Sequence, residues 1–218
     1  MFKSWTSHIR GSGLIRRKGI SLRRKVAREA ALLLYTSQEK EFKQAKLKAA
    51  ENLGVRVLPS NLEVAEELDR IADELEGLER KRRLVKFRER ALILMKSLKD
   101  FYPRLIGSVW RGTARKDSDI DIEVFSSDPE KVVQELQRRN FKISEVKRVE
   151  VASRKDVKVS THIYLTLELN IEAEIIVRSL EEREEIRTCE IYGDVIKGLS
   201  IEDLQKTLQD NPLKKFLP

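Results

Sequence analysis

The 218-residue chain has one cysteine, Cys189, and two histidines, so it offers neither an internal disulfide nor the Cys/His cluster that a zinc site needs. No stretch approaches the ~20 consecutive apolar residues of a membrane span, and the N-terminal region lacks the apolar core of a secretory signal. With 37 per cent of its residues charged, the chain is expected to be soluble and cytoplasmic, with no membrane partner. Cys189 reads as packing rather than as a nucleophile, because no histidine accompanies it.

Acid is missing from the first 28 residues, which hold Lys3, Arg10, Arg16, Arg17, Lys18, Arg23, Arg24, Lys25 and Arg28. The formal net charge is +8, so the other 190 residues together carry −1 and the basicity is an N-terminal feature. Trp5, Gly11, Gly13 and Gly19 interrupt the start and argue against a regular helix before Ser21. Residues 1–28 are read in two ways. They form either an arm that neutralises the phosphates of RNA or another nucleic acid, or a solvated tail that aids solubility.

From Ser21 to Leu53 the apolar residues Val26, Ala30, Leu33, Leu34, Phe42, Ala45 and Ala49 recur at helical spacing, and Gly54 is a stop signal. Ser60 and Glu63 form a capping box that restarts a helix, Gly77 marks a kink or break, and Tyr102-Pro103 ends the run. These stripes predict a bundle core. Asp128-Pro129 should open another helix, 141–151 and 157–167 read as strands about the turn 153–156, and Ser200 caps a last short helix. The tail from Asn211 to Lys215 is expected to fray.

The informative stretch is LIGSVWRGTARKDSDIDIEVF, residues 105–125. Asp119, Ile120, Asp121, Ile122, Glu123 and Val124 alternate, so a strand places Asp119 and Asp121 on one face and the apolar residues on the other. Alone, Asp-x-Asp is usually a solvated strand face. Two carboxylates about 7 Å apart above a buried face nevertheless repel each other until something positive sits between them, and a divalent metal is the natural candidate. Upstream, Gly107 allows close backbone approach, and Ser108 offers a hydroxyl and can open a short helix whose N–H groups favour phosphate. Arg111, Arg115 and Lys116 add cations nearby. A phosphate-binding turn followed by a metal-binding strand suits nucleoside triphosphate chemistry.

These residues resemble the DNA polymerase beta-like nucleotidyltransferase superfamily, whose signature is Gly-Ser, a spacer, then Asp-apolar-Asp, with a third carboxylate on a later strand. Gly107-Ser108 and Asp119-Ile120-Asp121 fit it without a gap, and Ser108 to Ala114 is similar to the Gly-Ser-x-x-Arg-Gly-x-Ala form of archaeal CCA-adding and minimal nucleotidyltransferases. The likeness spans residues 88–178.

The resemblance implies an α+β fold, a small mixed sheet with flanking helices preceded by an N-terminal helical segment. The expected division is a basic flexible arm over 1–20, a helical segment over 21–100, and a nucleotidyltransferase domain with a C-terminal extension over 101–218. It implies transfer of a nucleoside monophosphate from a nucleoside triphosphate to a hydroxyl, with Mg²⁺ or Mn²⁺ held by Asp119, Asp121 and a third carboxylate. Gly107, Ser108, Arg111 and Lys116 would hold the triphosphate. RNA such as tRNA is the favoured acceptor. A regulatory module that modifies a small helical partner protein and a non-catalytic nucleic-acid-binding member of the fold are the alternatives.

The third carboxylate should lie between Asn170 and Arg178, where Glu172 and Glu174 share a face and periodicity cannot choose between them. Glu174, followed by three apolar residues, better matches the family's pattern, although the family most often has Asp there. His162 falls on the polar face of its strand and reads as a surface residue.

Overall fold

The structure, a computed structural model, describes residues 21–152 and 157–218. The proposed arm over 1–20 and the turn 153–156 lie outside the described residues.

The helical segment begins with α1 (Leu22–Tyr35) and α2 (Phe42–Asn52). One helical pattern was expected through Leu53, but Thr36 caps α1 and Ser37 adopts a left-handed φ of 56°, which no helix continues through. The Ser60/Glu63 capping box is present at the start of α3 (Asn61–Ser97). Gly77, with φ 53° and ψ −127°, breaks α3 into two halves that do different work. The first half packs with α1 and α2 around Val26, Ala30, Leu33, Ala45, Ala49, Val64, Leu68 and Ile71. The second half supplies Leu84, Phe87, Ala91, Leu94 and Met95 to a separate core beneath the sheet.

That sheet has the order β1-β2-β5-β4-β3. It comprises β1 (Arg104–Leu105), β2 (Ile120–Phe125), β3 (Ile143–Ala152), β4 (Val157–Thr166) and β5 (Glu172–Arg178). Only β2 and β5 run parallel; the other pairs are antiparallel. The short α4 (Gly107–Arg111) lies between β1 and β2, α5 (Pro129–Arg138) follows β2, and α6 (Ile201–Asp210) closes the fold. Ile120, Ile122 and Val124 of β2 join Ile163 and Leu165 of β4, Ile175 and Val177 of β5, and Val132 and Leu136 of α5 in one apolar layer. Period-two alternation therefore buries one face of β2, β4 and β5, as the sequence pattern requires. The fold is α+β.

The tail is docked rather than frayed. The fully buried Arg88 donates to the carbonyls of Pro212, Lys214, Val109 and Trp110 at 2.7–3.2 Å, so one guanidinium joins the chain's end to the last carbonyls of α4. Among the described residues no carboxylate answers it, and burial lowers its pKa to about 10. Among the described residues, no helix is long and apolar enough to cross a membrane.

Candidate active site

Gly107 sits where backbone crowds a carboxylate. Its φ is +68°, and a Cβ there would lie 1.9 Å from Oδ2 of Asp121, so only glycine lets the turn approach β2 this closely. The Ile106 N–H donates to the Asp121 carbonyl at 2.9 Å and fixes that approach. Among the described residues, the N–H groups of Gly107, Ser108 and Val109 find no backbone acceptor. Because α4 has only five residues, these free donors and the Ser108 hydroxyl, rather than a helix dipole, are what the turn offers an anion.

β2 and β5 bring the acids together. Asp121 and Glu174 are direct register partners, and one carboxylate oxygen from each of Asp119, Asp121 and Glu174 lies within 4.8 Å of the others. Glu172 stands outside this group, exposed, 3.4 Å from the Thr166 hydroxyl. Burial, followed by repulsion from Glu174 and Glu172, raises the Asp119 pKa. Burial and the charges of Asp119 and Glu174 push Asp121 well above the usual carboxylate range. Among the described residues, no cation contributes to either shift. A hard-oxygen donor set with uncompensated negative charge fits Mg²⁺ or Mn²⁺.

The cations named from sequence are placed differently from one another. Arg111 is 4 per cent exposed, and its two terminal nitrogens meet Asp194 at 2.6 and 2.9 Å while one also donates to the Phe216 carbonyl. Its guanidinium lies between the rings of Trp110 and Tyr192, 4.3 and 4.4 Å from their centroids. It cannot meet a phosphate without breaking this arrangement. Lys116 is exposed, with its ammonium 5.5 Å from the Tyr35 ring centre, and it lines a cavity of about 570 Å³ with Ser118, Asp119 and Glu172. Gly107 and Ser108 line a second, mainly apolar cavity of about 340 Å³, roofed by Phe42 and Leu68 from the helical segment and by Tyr192. Ser118 borders both.

Two further groups belong to the site's surroundings. His162 lies on the acidic face of the sheet, its Nδ1 2.7 Å from Oε1 of Glu174. Glu123, two residues beyond Asp121, is fully buried against Arg178 and Arg187. Arg80 crosses the Gly77 break, binding Asp69 and Asp73 before it and the carbonyls of Thr113 and Ala114, which fixes the loop leading to Asp119.

Residues 93–186 match the nucleotidyltransferase domain family. No curated protein matches. Among solved structures, Cid1 in complex with the UTP analogue UMPNPP is 22% identical, with 46% of this chain covering 31% of that one at a TM-score of 0.32. A cytoplasmic RNA terminal U-transferase is also 22% identical, with 54% covering 34% at 0.32. A Cid1 poly(U) polymerase variant bound to MgATP is 20% identical, with 44% covering 32% at 0.29. The chain thus spans about a third of these proteins' length, and superpositions this loose align no site residue by residue. The stretch that matches the nucleotidyltransferase domain family is thus the one that holds Gly107, Ser108, Asp119, Asp121 and Glu174.

Proposed function

We propose that the protein transfers a nucleoside monophosphate from a nucleoside triphosphate to a hydroxyl acceptor and releases pyrophosphate. The observation that carries this reading is the convergence of Asp119, Asp121 and Glu174 within 4.8 Å of one another, beside a glycine turn that presses on Asp121. These three residues would hold Mg²⁺ or Mn²⁺, which when bound neutralises triphosphate charge and acidifies the attacking hydroxyl.

The chain's own groups account for the rest. The N–H groups at Gly107–Val109 and the Ser108 hydroxyl receive β- and γ-phosphate oxygens, and Lys116 lines the adjoining cavity as an exposed cation. On this reading Glu174 either takes the acceptor's proton as general base or ligates the metal that would activate that hydroxyl, as the acceptor oxygen bonds to the α-phosphorus and the bond to the bridging oxygen breaks. Arg111 contributes by holding the end of α4 to Asp194 and the docked tail.

RNA is the favoured acceptor because of the cations in residues 1–28. Among the described residues of this stretch, Arg23 pairs with Glu63, Arg24 with Glu67 and Arg28 with Glu74.

The test is incubation with each of the four nucleoside triphosphates, labelled at the α-phosphate, with Mg²⁺ or Mn²⁺ and total cellular RNA or lysate, beside an Asp119→Ala/Asp121→Ala control. Label entering RNA only with the intact carboxylates is the expected result. Label entering protein instead replaces the RNA acceptor with a partner protein. No transfer under any condition removes the enzymatic reading.

A further inference from the structure

The third acid is a glutamate, which reaches one methylene further than aspartate and has one more torsion to freeze before it can serve as a ligand. The structure contains a device for freezing it. Tyr164 of β4 is the register partner of Glu174 on β5, and His162 is the partner of Ile176, so both lie beside Glu174 on the sheet's acidic face. His162 Nδ1 stands 2.7 Å from Glu174 Oε1, and Nε2 stands 2.9 Å from the hydroxyl of Ser160, which is 8 per cent exposed. An ionised carboxylate only accepts, so the Nδ1 proton points at Glu174 while Ser160 holds the ring from its far side.

We propose that His162, oriented by Ser160, is a positioning residue that fixes one oxygen of Glu174 and leaves the other to face Asp119 and Asp121. This rests on the metal-dependent transfer proposed above. A partner that locks a ligand's orientation preorganises the donor set, and removing such partners typically weakens metal binding 10–100-fold. The connectivity Ser160–His162–Glu174 is also that of a hydrolase triad. Ser160, however, lies within β4, paired to Val149 of β3, where the backbone N–H groups serve the sheet ladder and no oxyanion cradle can form around it.

The experiment measures Mn²⁺ binding by electron paramagnetic resonance, a readout independent of turnover, on the full chain and on His162→Ala, His162→Asn, Ser160→Ala and Asp121→Asn. His162→Ala is expected to bind Mn²⁺ about 10–100-fold more weakly. His162→Asn, which keeps an N–H near the Nδ1 position, is expected to recover most of that loss, and Ser160→Ala to weaken binding by a smaller factor. Wild-type affinity in His162→Ala overturns the proposal, as does equal weakness of the Asn and Ala variants, which would mean lost packing. Should circular dichroism show His162→Ala unfolded, the Asn and Ser160 variants decide in the same way. Mn²⁺ binding that survives Asp121→Asn unchanged sinks the metal reading itself and this inference with it.

Discussion

Two parts of the molecule bury carboxylates, and they treat them in opposite ways. In the helical segment Glu67 is 2 per cent exposed, and Arg24 at 2.7 Å, Arg28 at 3.6 Å and Arg70 surround it, tying α1 to α3. On the sheet, Asp119 and Asp121 face Glu174, and among the described residues no cation offsets them. The chain has cations in plenty, with 44 lysines and arginines against 36 acids. Its most buried arginines are bound elsewhere, Arg88 to carbonyls and Arg80 and Arg111 to other aspartates as well as carbonyls. On the proposed reading, charge left uncompensated beside so many cations is kept for a ligand, whereas the Glu67 cluster is scaffold.

Asp121→Asn removes the more buried of the two aspartate charges and carries the largest expected effect. Transfer should fall by about 10³-fold or more, since metal-held charge stabilisation amounts to several kcal/mol. Metal-free stability should move the other way. A carboxyl whose folded pKa is raised favours the protonated form, so its destabilisation is absent below the unfolded pKa near 3.9 and grows as pH rises toward the folded value. Calorimetry in chelator should therefore show the variant melting a few degrees above wild type at pH 7 and converging with it toward pH 4. Divalent metal should raise the wild-type Tm and leave the variant's unmoved. A variant less stable than wild type at pH 7 would mean that the site is not electrostatically strained.

The motif was legible because its information is local. Gly107, Ser108 and the alternation of Asp119 with Ile120 and Asp121 with Ile122 carry their reasons within a few residues. What the sequence left open depends on pairings distant along the chain. Glu172 and Glu174 share a face, and only the parallel register of β2 with β5 places Glu174 opposite Asp121. Arg111 resembles a phosphate cation until Asp194, 83 residues away, occupies it. The break after α1 was hidden because apolar spacing runs on across Ser37, while a left-handed residue there turns the chain. His162 did have a signal. Ser160, His162 and Tyr164 alternate along β4 on the side away from Ile163 and Leu165, which is the side Glu174 shares once β4 pairs with β5.

Arg111 tests whether scaffold and site are separate within a single motif. Arg111→Lys loses the paired contact to Asp194 and the stacking between Trp110 and Tyr192, and Arg111→Ala leaves Asp194 unanswered. Because the guanidinium is buried and Asp194 partly exposed, a loss of about 2–4 kcal/mol is expected for Arg111→Ala, measured by urea unfolding. KM for the nucleoside triphosphate should be unchanged in the folded fraction. A raised KM with unchanged stability would return Arg111 to the phosphates.

Glu67→Gln gives the smallest effect and the cleanest control. Gln keeps the shape and removes the charge, leaving Arg24, Arg28 and Arg70 facing a neutral amide. Those arginines are about half exposed, with side-chain exposures of 55%, 44% and 48%, so water screens much of what is lost and about 1–2 kcal/mol is expected. Urea midpoints at low and high salt should converge for wild type and variant as screening replaces the missing pairing. Metal affinity and transfer rate should stay at wild-type values, because the Glu67 cluster joins α1 to the first half of α3. A changed metal affinity would show that the helical segment and the sheet are energetically one unit, and the contrast between charge for structure and charge for chemistry would have to be redrawn across Arg80, which joins α3 to the loop before Asp119.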